Sequence, residues 1–205
     1  MGRFTRDELR VLERLTSPPA IQAFLDELPY AAETGARSPR VTLRRRTAQC
    51  FGGAVFAAAA LRRLGQPPRL VDLRAKNDDD HVLAVFERHG RWGAIGKSNF
   101  TTLRYREPVY RTLRELVLSY FDLYFNARGE KSLREYSVTL DLRKYDRTDW
   151  TFAEGPLHEI ERDIETIRHY RLLTPAMEHE LAPVSEALLE AGLLGSSPAG
   201  LFRPR

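Results

Sequence analysis

The chain has 205 residues, 42% hydrophobic and 29% charged, with 32 basic against 28 acidic side chains and a net charge of +4. That length and apolar share suit one domain with a sizeable core, and so slight a basic excess permits acidic partners without requiring them. One cysteine excludes an intrachain disulfide and a thiolate-rich metal site, and no apolar run approaches the ~20 residues of a membrane span.

The opening "MGRFTRDELRVLERL" mixes charges through an amphipathic pattern, unlike a secretory signal, so a cytoplasmic location is expected. Leu9, Val11, Leu12 and Leu15 share one face and predict a helix, and "PPAIQAFLDEL" predicts a second with a proline-led start. "PYAAETGARSPR" reads as a loop, because Gly35, Ser38 and Pro39 cluster there.

The middle of the chain is the most ordered. Cys50 to Leu64 predicts a helix, with Val55, Ala58, Leu61 and Leu64 near helical spacing, Thr47 as its cap, and Gly65 and Pro67 as its stop. "RLVDLRA" alternates as a strand, "KNDDD" is a turn, and "HVLAVFERHGRWGAIGKS" predicts two strands joined through His89 and Gly90. "PVYRTLRELVLSYFDLYFN" then predicts a helix opened by Pro108.

"YSVTLDLRKYD" predicts a strand. "PLHEIERDIETIRHYRLL" and "PAMEHELAPVSEALLEAGLL" predict helices, the second interrupted at Pro183. The expected class is therefore α+β, in one domain over 1–205. It divides into a helical segment at 1–36, a core carrying cysteine and histidine at 40–126, and an appended layer of strand and helices at 136–205.

The chemistry centres on Cys50. At a helix start, free N–H groups and the positive end of the macrodipole favour a thiolate. Gly52 and Gly53 would leave the approach open, and the N–H of Cys50 is available to an oxyanion. The bland alternative is a small apolar residue packed in a core. His81 lies 31 residues on and opens a strand, so a sheet packed on the cysteine helix would bring an imidazole to the thiol. His89 falls in a turn, while His158, His169 and His179 fall on charged helices where exposure is expected. Arg44, Arg45 and Arg46 read as a solvated strand or loop rather than a nucleic-acid patch, with a secondary influence favouring thiolate. "LRYREPVY" either lines a cleft or serves as a connector.

"CFGGAVFAAAALRRLGQPPRLVDL" followed by "DDDHVLAVFERHGRWGAI" resembles the core of the transglutaminase-like superfamily, relatives of the papain-like cysteine enzymes. The resemblance spans residues 44–99 and rests on the order and spacing of short motifs. It implies a papain-like core, with Cys50 as nucleophile, His81 as base, a peptide, amide or thioester substrate, and no cofactor. Neither nucleic acid nor membrane is an expected partner. The family's W-x-x-x-D pattern, counted from Trp92, would put its acid at position 96, where this chain has Gly96. Ser98 by strand parity, Asp72 from the preceding strand and Asn99 by its amide carbonyl are the substitutes, and Asn99 is preferred. The expected function is cysteine-dependent acyl transfer or amide hydrolysis; the alternative is an inactive binding or assembly protein of the same fold.

Overall fold

A computed structural model describes residues 2–32 and 35–202; Glu33 and Thr34 of the expected loop lie outside the described residues. The first two predicted helices form as α1 (Arg6–Arg14) and α2 (Pro18–Glu27). Thr5 and Glu8 make a reciprocal capping box on α1, and Ser17 caps α2. A third helix, α3 (Pro39–Arg45), occupies the stretch read as loop and arginine patch. Ser38 caps it and Pro39 takes the first helical position, a start signal hidden among turn-forming residues.

The cysteine helix is α4 (Cys50–Arg63), with Gln49 rather than Thr47 as its cap. Then follow β1 (Arg69–Ala75), β2 (His81–Arg88) and β3 (Arg91–Ile95), as predicted. The next helix, α5 (Leu113–Phe121), starts five residues after Pro108 and is capped by Thr112. Pro108 instead lies in β4 (Arg106–Tyr110), an edge strand where a missing N–H costs no ladder bond. The remaining elements are β5 (Leu133–Ser137), β6 (Leu140–Asp141), a 3-10 turn, α6 (His158–Thr166), β7 (His169–Arg171), α7 (Pro175–His179) and α8 (Glu186–Leu193). The class is thus α+β.

All the strand pairings are antiparallel, in the order β4-β3-β2-β1-β5-β7, with β6 also on β1. The two faces of this open sheet carry separate cores. Leu70, Val82, Ala84 and Phe86 pack with the alanines of α4 and with Ile21 and Leu25 of α2. Val71, Leu73, Leu83 and Val85 pack with Leu116, Val117 and Tyr120 of α5 and with Tyr124. Alternation along β1 and β2 divides the residues between faces, because successive side chains of a strand point opposite ways.

Lys97 ties the first face together. Its buried ammonium donates to the carbonyls of Leu25, at 2.8 Å, and Leu28, at the end of α2. Burial pushes it down to about 8. Among the described residues no helix is long and apolar enough to cross a membrane.

Candidate functional site

The site lies at the end of the sheet where α4 begins. Cys50 is half-buried, and its Sγ is 3.8 Å from the carbonyl oxygen of Asp80, the residue before β2. The thiol is pushed up to about 11, chiefly by burial, which outweighs the amides of Val82 and Phe51 that favour the anion. Asp79 and Asp72 add to the rise. The expected helix-end thiolate is therefore not the resting form: desolvation of the charge exceeds the help from the helix terminus.

Two of the arginines ahead of Cys50 are engaged elsewhere. Arg44 pairs with Glu154 at 3.0 Å, and Arg46 pairs with Glu27 and lies over the Phe24 ring. The glycines behind it serve different needs. A Cβ on Gly53 would lie 2.3 Å from the Cβ of Lys97, so packing demands that glycine, whereas Gly52 has only the amide nitrogen of Arg37 nearby, at 3.6 Å.

His81 is 3% exposed and opens β2 as predicted, but strand alternation points Val82, not His81, at α4. The imidazole lies on the α5 side, edge-on to Tyr124 with centroids 6.4 Å apart. Cys50 and His81 nevertheless line one small cavity of about 40 Å³ at the sheet end, with room for an acyl oxygen or a water. No hydrogen bond joins them. Burial lowers the imidazole to about 4, with the Leu103 carbonyl opposing that shift and Arg106 reinforcing it, so the resting pair is a neutral thiol and a neutral imidazole.

The group that holds His81 is a main-chain oxygen: Nε2 is 2.9 Å from the carbonyl of Leu103. A carbonyl only accepts, so Nε2 carries the proton and Nδ1 keeps its lone pair. Gly96, where the resemblance would have an acid, lies beside this bond. A Cβ there would be 3.1 Å from His81 Nε2, 3.0 Å from the Leu103 oxygen and 2.8 Å from Leu83. Gln22 of α2 holds the Gly96 backbone through both its N–H (3.1 Å) and its C=O (3.0 Å). A peptide oxygen thus stands close to position 96, and a glycine there is what admits it.

None of the three proposed substitutes is hydrogen-bonded to His81. Asn99 lines the same cavity, but its amide is paired with the backbone of Ser197: Nδ2 donates to the carbonyl at 2.9 Å and Oδ1 accepts the N–H at 2.8 Å. Ser98 Oγ accepts from the Phe100 amide, and Asp72 pairs with His169 Nε2 at 3.0 Å. The imidazole is thus bonded to the Leu103 carbonyl, while the Asn99 amide, the expected orienting group, is bonded to Ser197. His169, expected on an exposed helix, is instead a buried side chain in β7.

Two groups placed beside Cys50 and His81 were not found from the residues. One is the Leu103 carbonyl, which has no sequence signature. The other is Tyr30, which lines the same cavity and whose hydroxyl stands by the Cys50 amide and thiol. Burial first, then Cys50 and Asp79, raise that phenol well above its usual range, so at neutral pH it remains an O–H donor. Outside the cavity a cleft of about 1000 Å³ opens, walled by Tyr30, Asp72, Asp79, Asp80, Glu161 and Phe202 among others. Among the described residues no group of three or more His, Cys, Asp or Glu side chains is placed to hold a metal ion. No family model matches the chain, and no curated protein matches it significantly.

Proposed function

We propose that the chain is a cysteine-dependent acyl-transfer or amide-hydrolysing enzyme with a transglutaminase-like, papain-like core. The observation that carries this reading is the small cavity that Cys50 and His81 both line, with His81 held through Nε2 by the Leu103 carbonyl. The sequential order supports it too: a cysteine at a helix start, then a strand, then a histidine opening the next strand of a hairpin.

In the reaction, Cys50 Sγ attacks the carbonyl carbon of a peptide, amide or thioester, and its proton passes to His81 Nδ1. The C–S bond forms, the developing oxyanion is met by the Cys50 N–H and the Tyr30 O–H, and the C–N or C–S bond of the substrate breaks as His81 protonates the leaving group. Water or an amine then attacks the thioester, again with His81 as base, and the thiol is regenerated. The Leu103 carbonyl stabilises the imidazolium formed at each step, a hydrogen-bonding role that a side-chain acid otherwise fills. This route starts from neutral partners and needs no preformed ion pair.

The alternative, a non-catalytic binding or assembly protein, is favoured by the raised thiol and by the missing Cys50–His81 hydrogen bond. Catalytic hydrogen bonds are often loose before substrate binds, so that gap does not decide the matter. Incubation with a library of peptide thioesters and amides, followed by mass spectrometry, decides it. Acyl-transfer chemistry predicts a mass increase on Cys50, abolished in Cys50→Ala and slowed about 10²-fold or more in His81→Ala. A library that never acylates Cys50, or acylation that His81→Ala leaves untouched, sinks the enzyme reading.

A further inference from the structure

The site described above is crossed by another part of the chain. After α8, whose residues 191 and 192 are held to Thr101 by main-chain and side-chain hydrogen bonds, the chain turns at Pro198–Gly200 and passes along the Cys50 cleft. Gly200 and Phe202 line the small cavity with Cys50 and His81, and Ala199 and Leu201 join them along the larger cleft. Leu201 packs against the core on the α5 side, and two further attachments are specific in kind. The buried amide of Asn99 pairs with both the N–H and the C=O of Ser197, contacts with the backbone that any residue but proline can make. Three residues on, Gly200 lies flat on Tyr30: a Cβ there would be 2.7 Å and 2.9 Å from two ring carbons.

We propose that Asn99 and Tyr30 form a peptide-binding subsite of the Cys50 cleft, which residues 197–202 fill in the resting protein. The occupant defines the ligand: a peptide gripped through one residue's backbone, with glycine three positions later against Tyr30. An aromatic side chain then follows five positions after the gripped residue, where Phe202 reaches the cavity. The inference rests on the enzyme reading only in taking this cleft as the reacting centre, and it specifies that reading's substrate as a peptide. A segment tethered so close is present at a high effective concentration, on the order of millimolar, so it competes with any added peptide until displaced.

The full-length chain supplies the test. Gly200→Val should lift the resident segment off Tyr30 while leaving the subsite itself unchanged. A fluorescein-labelled heptapeptide of sequence SSPAGLF, followed by anisotropy, should bind this variant at least about tenfold more tightly than the wild type, whose open fraction limits its apparent affinity. The double variant Gly200→Val/Asn99→Ala should lose that binding. Equal binding by wild type and Gly200→Val, absence from both, or retention by the double variant overturns the proposal.

Asn99→Ala alone adds no bulk and guards against a misfolded Gly200→Val. With an unchanged thermal melt it should speed iodoacetamide alkylation of Cys50 severalfold, and an unchanged rate overturns the proposal. Peptide binding without acylation of Cys50 keeps this inference and removes the enzyme reading; acylation of Cys50 by small thioesters without peptide binding does the reverse.

Discussion

At the scale of single residues, burial governs the chemistry more than sequence position does. Cys50 stands where a helix terminus favours its anion, yet desolvation holds the thiol protonated, and the same desolvation keeps His81 neutral. For His81 the consequence is measurable in stability. Its folded value, near 4, is below the ordinary 6.5, so its contribution is present above pH 6.5 and is lost as pH falls toward 4. The full contribution is about 3 kcal/mol. Asp78, pushed up to about 6 by burial, works in the opposite sense over that window, so the comparison must be a difference. Denaturant titrations at pH 6.5 and pH 4 should show the wild type losing about 3 kcal/mol more than His81→Gln, whose amide can still donate to Leu103. Equal losses would mean that the imidazole is not buried as a neutral group.

Among elements, α4 and the segment just after β3 come closest at Gly53 and Lys97, one turn from the thiol. Gly53 is the residue through which the two approach, and its substitution separates two effects of opposite sign. Helix propensity alone would make Gly53→Ala stabilising by about 1 kcal/mol. The added methyl would meet the Lys97 Cβ, an atom beside the backbone that cannot swing away. Overpacking of this kind costs about 1–3 kcal/mol, so the variant should be destabilised despite its better propensity, as a chemical denaturation midpoint will report. Loss of the Lys97 contacts to the end of α2 should accompany it, because a shifted Lys97 no longer reaches Leu25 and Leu28. The same end of β3 illustrates how a strand terminus is assigned its work. Gln22 secures the Gly96 backbone, the chain leaves the sheet, and Tyr120 holds the Arg104 carbonyl at 2.7 Å, so that Leu103 faces the imidazole.

Across the whole molecule, one sheet separates two cores and belongs to both. Trp150 is buried in the core under α4, while Trp92 packs against the core under α5. Because β1 and β2 contribute alternate side chains to each core, neither can lose its packing while the other keeps the strands in place. Trp92→Phe and Trp150→Phe each leave one fluorophore, one per core. After correction for each substitution's own effect on stability, the two should report the same denaturant midpoint and slope; distinct transitions would show that the faces unfold independently.

Local order was legible in the sequence wherever a periodic apolar pattern met clear punctuation. The cysteine helix, the three strands after it and the places of Cys50 and His81 at element starts follow from helical spacing, alternation and turn residues between Arg44 and Asn99. The misplaced start of α5 and the unexpected α3 arose where proline signals two outcomes, an edge strand or a first helical turn. The face His81 takes was beyond reach because "HVLAVF" is apolar at every position after the histidine, as a strand buried on both sides must be, and such a run does not say which face meets α4. Nor can residue types reveal the partner of His81: every residue carries a carbonyl, and only the path of the chain past Gly96 brings that of Leu103 to the ring. The sequence by itself determined most of the elements from α4 to β3 and the places of Cys50 and His81 at their starts, since these depend on neighbours along the chain. Only the tertiary structure decided their ionisation, the engagement of Asn99 with Ser197 and the segment lying across the cleft, because burial and long-range hydrogen bonding depend on neighbours in space.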